Sequence, residues 1–135
     1  MLMKKIFLFI AIAGSFYSCK KDSLSNKYLE FAGIWEFEQF IGYGPSTVPL
    51  PPGNGKIIYI GSDKTFERRS FDTVEVRAKY SLVERKDCRG DDKIVFFKTT
   101  EPNSSENVIS IENGKLTLGS SNCVADGGVN IYRRK

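Results

Sequence analysis

The sequence predicts an all-β domain, namely an eight-stranded antiparallel up-and-down barrel, with a β-sandwich as the alternative. Apolar and polar residues alternate from Val74 to Leu82, which is the period of a strand with one buried face. Asn113-Gly114 lies between two apolar runs, and this dipeptide is the strongest local signal for a tight hairpin. No stretch after Gly33 has a helical period of useful length, so helices do not contribute to the predicted core.

Eight short runs rich in β-branched and aromatic residues follow one another from Gly33 onward. They are 33–41, 56–60, 65–71, 74–82, 93–97, 107–111, 115–118 and 128–133. Consecutive antiparallel strands that each have one apolar face must hide that face from water. A sheet that closes on itself hides the face and removes exposed edges, so a barrel over residues 33–135 is favoured over a sandwich.

A proline-rich segment interrupts the strands after the first one. Four of the five prolines fall between Tyr43 and Gly55. Because proline cannot donate to a strand ladder, this segment cannot be a central strand. We expect a long loop, which either covers one mouth of the barrel or only connects two strands.

The first eighteen residues have the pattern of an export signal. Lys4 and Lys5 precede an apolar run from Ile6 to Ala13, and small residues lead to Ser18. The apolar run is far shorter than the roughly 20 residues that span a bilayer as a helix. Residues 1–18 are therefore predicted to be a cleaved signal peptide.

Cys19 directly follows this signal, and Phe16-Tyr17-Ser18 before it resembles the lipobox of bacterial lipoproteins. That resemblance implies a diacylglycerol on the Cys19 thiol, which would become the new amino terminus. The alternative is an ordinary signal, which would leave Cys19 as an exposed free thiol. The residue after Cys19 is Lys20 and not aspartate, which implies, by the same resemblance, a location in the outer membrane. Both the periplasmic face and the cell surface remain as alternatives.

Residues 19–32 are predicted to be the lipidated cysteine and a polar tether, because the segment from Lys20 to Tyr28 has few apolar side chains to bury. The whole chain has 20 basic and 16 acidic residues, and the basic ones are scattered among acids. Such a balance does not indicate a nucleic-acid partner. The predicted partner is the membrane, reached through the lipid.

Gly33-Ile34-Trp35 at the start of the first strand resembles the G-x-W signature of lipocalins. The order of GIWEF, the Pro-Gly loop, SDKTF, GKLTL and the closing IYRR is similar to small lipocalin-like lipoproteins of the Bacteroidetes. This resemblance implies a barrel with Trp35 at one end and an arginine of the last strand stacked on it. Alternation leaves Arg133 and Arg134 open, and the resemblance favours Arg134.

Cys88 and Cys123 form an even pair once Cys19 is acylated, and an exported domain in an oxidising space favours a disulfide. A simple eight-stranded meander opposes this bond, because it places the two loops at opposite ends. Three outcomes stay open. The stretch from Gly119 to Gly127 folds back along the barrel, one predicted strand is wrong, or both thiols are free.

The composition argues against an enzyme, a metal centre and a cofactor. The chain has no histidine, which excludes Ser-His-Asp and Cys-His nucleophile systems and histidine-ligated zinc. No glycine-rich phosphate loop is present. Acidic residues at Asp87, Asp91, Asp92 and Asp126 lack the spacing of a calcium loop, and we interpret them as solvated turn residues.

Two functions are compatible with this sequence. In the first, the barrel mouth binds a small hydrophobic molecule, and the candidate lining residues are Phe37, Tyr59, Phe66, Tyr80 and Phe96. In the second, the barrel is filled, and its outside or its proline loop binds a protein or a glycan of the envelope. Interior volume distinguishes the two hypotheses, because large aromatic rings fill small barrels as readily as they line pockets.

Overall fold

The computed structural model describes residues 23–88, 90–121 and 123–135. The predicted signal peptide and Cys19 lie outside these residues. Within them the chain forms one short 3₁₀ helix, η1 (Asn26–Phe31), and eight strands. These are β1 (Gly33–Ile41), β2 (Lys56–Ile60), β3 (Thr65–Ser70), β4 (Thr73–Lys86), β5 (Lys93–Thr99), β6 (Asn107–Glu112), β7 (Lys115–Gly119) and β8 (Val129–Arg134).

The strands close into a barrel in which each strand pairs antiparallel with the next and β8 pairs with β1. The predicted eight-stranded up-and-down barrel is therefore confirmed, and the sandwich alternative is wrong. The Asn113-Gly114 turn joins β6 to β7, with Glu112 opposite Lys115. Both turn residues have positive φ, of 51° and 75°, which this tight hairpin requires.

The long strand β4 differs most from its predicted bounds of 74–82. Its first half pairs with β3, where Lys79 lies opposite Thr65, and its second half pairs with β5, where Lys86 lies opposite Lys93. Strand β4 therefore pairs with two neighbouring strands at different heights of the barrel wall. The alternating pattern does continue past Leu82, but charged residues at 84–86 hide it.

The segment before β1 covers one end of the barrel, which we call the closed end. The backbone N–H of Leu24 donates to the carbonyl of Ser62 at 2.7 Å, and the Leu24 side chain is buried. After η1, the indole Nε1 of Trp35 donates to the carbonyl of Phe31 at 2.8 Å. The predicted polar tether over 19–32 is thus too long, because Leu24 and Phe31 belong to the core and Tyr28 packs against it.

The core fills the half of the barrel next to the closed end. Trp35, Ile60 and Leu116 have no exposed surface. The ring of Phe97 packs against Phe66 and Tyr80, with centroid distances of 5.6 and 5.2 Å. Close packing of this kind fills the space between these side chains.

The proline loop, residues 42–55, extends the wall at β1 and does not cross the mouth. β2 pairs only with the first part of β1, from Gly33 to Glu36. Along the rest of β1, the loop supplies backbone donors: Leu50 N–H to the carbonyl of Glu38 at 2.8 Å, and Thr47 N–H to that of Phe40 at 3.2 Å. Of the two expectations for this loop, the structure favours the connecting one.

Cys88 and Cys123 form a disulfide whose α-carbons lie 6.0 Å apart. The eight strands remain intact, so of the three alternatives it is the folding back of the loop that occurs. The segment between β7 and β8, which we call the strap, reaches across the outer wall to the loop after β4. Beneath it, Phe96 is buried under the Arg85 guanidinium, 3.7 Å from the ring centroid.

Candidate functional site

The open end of the barrel, opposite η1, contains a cup with an apolar floor. Two adjoining cavities of about 330 and 260 Å³ make up the cup. Arg68 and Tyr132 line both cavities and therefore form the partition between them. The remaining lining includes the apolar side chains Phe37, Ile58, Phe66, Phe97 and Leu118 and the polar side chains Ser70, Thr99, Glu101 and Asn130.

Strand register explains how a charged residue reaches the inside of this cup. Phe66 and Arg68 are two residues apart on β3, so they share one face of the sheet. Arg68 pairs across the strands with Ile58 and Val76, which belong to the core or pack against it. The position is near the mouth, so half of the Arg68 side chain still reaches solvent.

Two glutamates hold Arg68 only loosely. Its Nε lies 3.6 Å from the carboxylate of Glu75, and its Nη2 lies 3.8 Å from that of Glu101. Both distances exceed those of an N–H···O hydrogen bond, so the contacts are ion pairs without directed bonding. A partly exposed guanidinium with loose partners can change rotamer at low cost. The partition is therefore the most adaptable part of the cup.

Tyr132 gives the floor a second polar group. Its ring packs edge-on against Phe37 with centroids 5.7 Å apart. Burial raises the pKa of Tyr132 to about 12, and the nearby Arg68 guanidinium acts against this shift. The phenol therefore keeps its proton at neutral pH and can donate a hydrogen bond into the cup.

Only part of the predicted lining faces this cup. Phe37 and Phe66 line it. Tyr80 faces inward but belongs to the packed closed half, where its hydroxyl donates to the carbonyl of Gly61 at 2.7 Å and burial raises the pKa of the phenol. The prediction is wrong for Tyr59 and Phe96, because their neighbours on either side point into the core and alternation turns these two outward.

Sequence reasoning missed Arg68, Phe97, Leu118 and Tyr132 as lining residues. The period-two pattern does put Arg68 on the same face as Phe66, and it puts Leu118 on the same face as Leu116. Arg68, a charged residue at a position that the alternation places on the core face, was the available signal for a cavity. The height of an inward residue along the barrel decides whether it lines a cavity or is packed. This height follows from the stagger of the strands.

The structural signature residues meet at the closed end. The guanidinium of Arg134 lies over the Trp35 ring at 4.2 Å, as the resemblance implied, whereas Arg133 lies near Glu36 and Glu38. Arg134 also donates to the carbonyls of Glu30 and Ala32, at 2.8 and 3.2 Å. These contacts join the last strand to the segment before β1 and give the pair a structural role.

Gly33 completes this arrangement by giving the arginine room. Its φ is +143°, and a β-carbon at this position would lie 2.7 Å from Nη1 of Arg134. A side chain here would therefore both strain the backbone and displace the guanidinium. The G-x-W pattern in this chain thus has a steric reason.

One acidic side chain lies next to the disulfide. Asp87 Oδ1 lies 3.1 Å from the sulfur of Cys123, so Asp87, Cys88 and Cys123 form a compact group. Sulfurs that are bonded to each other offer no thiolate to a metal ion. This group therefore fastens the strap in the described structure.

A larger depression, of about 710 Å³, lies where β5 and β6 diverge, and its lining includes Phe31 of η1 and the core residue Ile109. Val108, Val129 and Ile131 line it together with small residues such as Gly119. The open-end cup is the better candidate, because a guanidinium and a buried phenol converge there above an apolar floor. A few polar groups directed into an apolar concavity are typical of ligand sites.

Comparisons with known proteins supply no relative: no protein-family model, no curated protein and no solved structure matches this chain. Among residues 23–88, 90–121 and 123–135, no helix is long and apolar enough to cross a membrane. The barrel is therefore established by its strand pairing, and function is argued from the cup alone.

Proposed function

We propose that this chain is a lipocalin-like lipoprotein that is anchored by lipid on Cys19 and binds a small hydrophobic molecule in its open mouth. The observation that carries the proposal is the position of Arg68 across an apolar cup, between cavities of about 330 and 260 Å³. The first cavity is just above and the second just below the lower limit of ligand pockets, which is roughly 300 Å³. Together they fall within the usual range.

Movement of Arg68 is what joins the two cavities. Its loose ion pairs with Glu75 and Glu101 allow the side chain to turn toward solvent. The apolar part of a ligand would then contact Phe37, Phe66 and Leu118, and its polar end would meet the guanidinium. Burial of apolar surface contributes roughly 25 cal/mol per Å², so the floor supplies most of the affinity.

Binding of a hydrophobic fluorescent probe, anilinonaphthalene sulfonate, tests this site. Ser70→Trp and Asn130→Trp each fill one cavity, and both positions are only partly buried. We expect at least a tenfold weaker affinity for the probe in the double variant, about 1.4 kcal/mol. Val83→Trp on the exposed outer wall is the matched control and should bind like the parent. Equal binding by the folded double variant would contradict the proposed site.

The filled closed half favours the second function, in which the barrel binds a partner of the envelope instead of a ligand. Trp35, Ile60 and Leu116 are fully buried there. Native mass spectrometry of protein extracted from its own envelope separates the two proposals. A co-purifying small molecule supports the ligand-binding function, and a co-purifying protein or glycan without one supports the alternative.

A further inference from the structure

We propose that the closed end of the barrel faces the bilayer and that the open cup faces away from it. The inference rests on the lipid anchor at Cys19 proposed above and adds an orientation to it. The partner is the surface of the same bilayer that holds the acyl chains. Three features carry the argument: the short tether, the point where the chain leaves the barrel, and the residues that surround that point.

The tether between the anchor and the folded body is short. Leu24 is the first of the described residues that the fold fixes, through its buried side chain and its 2.7 Å bond to the carbonyl of Ser62. Cys19 and Leu24 are five residues apart, so their α-carbons are separated by about 18 Å at most. A lipid on Cys19 therefore holds Leu24 close to the membrane surface.

Leu24 lies at the closed end. Ser62 belongs to the turn between β2 and β3 at that end, and η1 continues from there across the barrel. Lys27 forms an ion pair with Glu84 of β4, and Trp35 bonds to the carbonyl of Phe31, so the segment is fixed at both sides. Strand β1 alone has nine residues and spans about 30 Å, which separates the two ends.

The surface around this exit point suits a lipid headgroup layer. Leu29 and Ile34 are large apolar residues with 44% and 45% of their surface exposed. Lys27 is paired with Glu84, and Lys86 with Asp91, whereas Arg134 at this end contacts the Trp35 ring and backbone carbonyls. Exposed apolar side chains beside such cations allow close approach to a bilayer that contains anionic lipid.

This orientation restricts the source of the ligand. The rim of the cup, with Pro102 and Asn103 in the loop after β5, lies at the far end of the strands. A molecule in the cup would therefore be exchanged with the aqueous compartment or with a second surface. Direct transfer from the bilayer that anchors the protein would require the barrel to turn over on its short tether.

Energy transfer from tryptophan to dansyl-labelled headgroups measures this orientation. The chain from Cys19 to Lys135 is coupled through Cys19 to a maleimide lipid in phosphatidylethanolamine–phosphatidylglycerol vesicles, so the result does not depend on acylation in the cell. Trp35, the single tryptophan, is the closed-end donor. Leu29→Trp adds a donor at the closed end, and Pro102→Trp adds one at the cup rim; both positions are exposed.

We expect Leu29→Trp to keep or increase the average transfer efficiency and Pro102→Trp to lower it. Inserting about 20 Gly/Ser residues before Ser23 adds roughly 25 Å of mean reach and should lower transfer from Trp35. Equal or higher transfer in Pro102→Trp than in Leu29→Trp would overturn the orientation, as would no response to the longer tether. Failure of cellular lipidation would instead appear as an unmodified Cys19 in the intact mass, which tests the anchor separately.

Discussion

At the scale of single residues, the contact of Trp35 with Arg134 reinforces the pairing of β1 with β8 at the closed end. The indole is fully buried, donates to the carbonyl of Phe31 and lies under the Arg134 guanidinium. Its removal would leave a cavity and also free the arginine and the η1 carbonyl from their partner. The pair therefore stabilises the closed end in a way that neither residue could alone.

Trp35→Ala should lower the free energy of unfolding by about 3 to 5 kcal/mol, the usual cost of deleting a buried aromatic ring. Arg134→Ala should cost less, roughly 0.5 to 2 kcal/mol, since a cation over an indole contributes that much. Urea unfolding followed by circular dichroism measures both. Trp35→Phe, which keeps a ring, serves as the control if the alanine variant is unfolded. A Trp35→Ala midpoint equal to the parent's would contradict this account.

A second feature at the residue scale is a nearly buried charge on the outer wall. Glu67 has 5% of its surface exposed and accepts hydrogen bonds from both Arg69 and Arg77. These two guanidiniums, Arg69 first, hold the pKa of the Glu67 carboxyl below its usual value. The Glu67 carboxylate thus links Arg69 on its own strand, β3, to Arg77 on the neighbouring strand, β4.

At the scale of elements, the strap and β4 depend on each other. The strap reaches the loop after β4 only because β4 continues beyond β3 to pair with β5. The disulfide then fixes the strap over Phe96, an aromatic ring on the outer face of β5. The bond therefore constrains the chain and keeps an apolar side chain away from water.

The double variant Cys88→Ser, Cys123→Ser should be less stable than the parent by roughly 3 to 4 kcal/mol, which is the chain-entropy value for a loop of 35 residues. Thermal melting of the two proteins under non-reducing conditions measures the difference. A reducing agent should lower the melting temperature of the parent but not that of the variant. Non-reducing peptide maps that contain only separately alkylated Cys88 and Cys123 would contradict the bond itself.

Elements were easier to predict from the sequence than the site. Alternation and the Asn113-Gly114 turn are local signals, so they indicate strands and a hairpin directly. The double pairing of β4 and the path of the strap are long-range features that no local pattern encodes. The polar residues of the cup were missed for the same reason: Arg68 and Tyr132 come from β3 and β8, and they meet only after closure.

At the scale of the whole molecule, the proposed lipid anchor and the candidate cup lie toward opposite ends of the barrel. Leu24 lies at the closed end, and the cup opens at the other end. The proline loop follows β1 and lines neither cavity of the cup, so the mouth has free access. A lipid on Cys19 would therefore hold the protein without obstructing the candidate site.

Cys19→Ser should release the protein from the membrane fraction of its own cells, because the thiol is the only attachment point for the proposed diacylglycerol. Each buried methylene contributes roughly 0.8 kcal/mol, and two chains hold far more firmly than one. Fractionation followed by intact mass measurement checks this outcome. A serine variant that stays in the membrane fraction, beside a parent without added lipid mass, would reject the anchor.

Because β1 pairs with β8, the barrel can close only after β8 has been synthesised. A chain emerges amino terminus first, during synthesis and during export, so the last strand to appear is the one that the first strand needs. Until residues 129–134 arrive, β1 and β7 each lack a neighbour, and Trp35 has no arginine above it. Unpaired strand edges attract other chains. The edges of β1 and β7 are therefore most open to such pairing in the interval before closure.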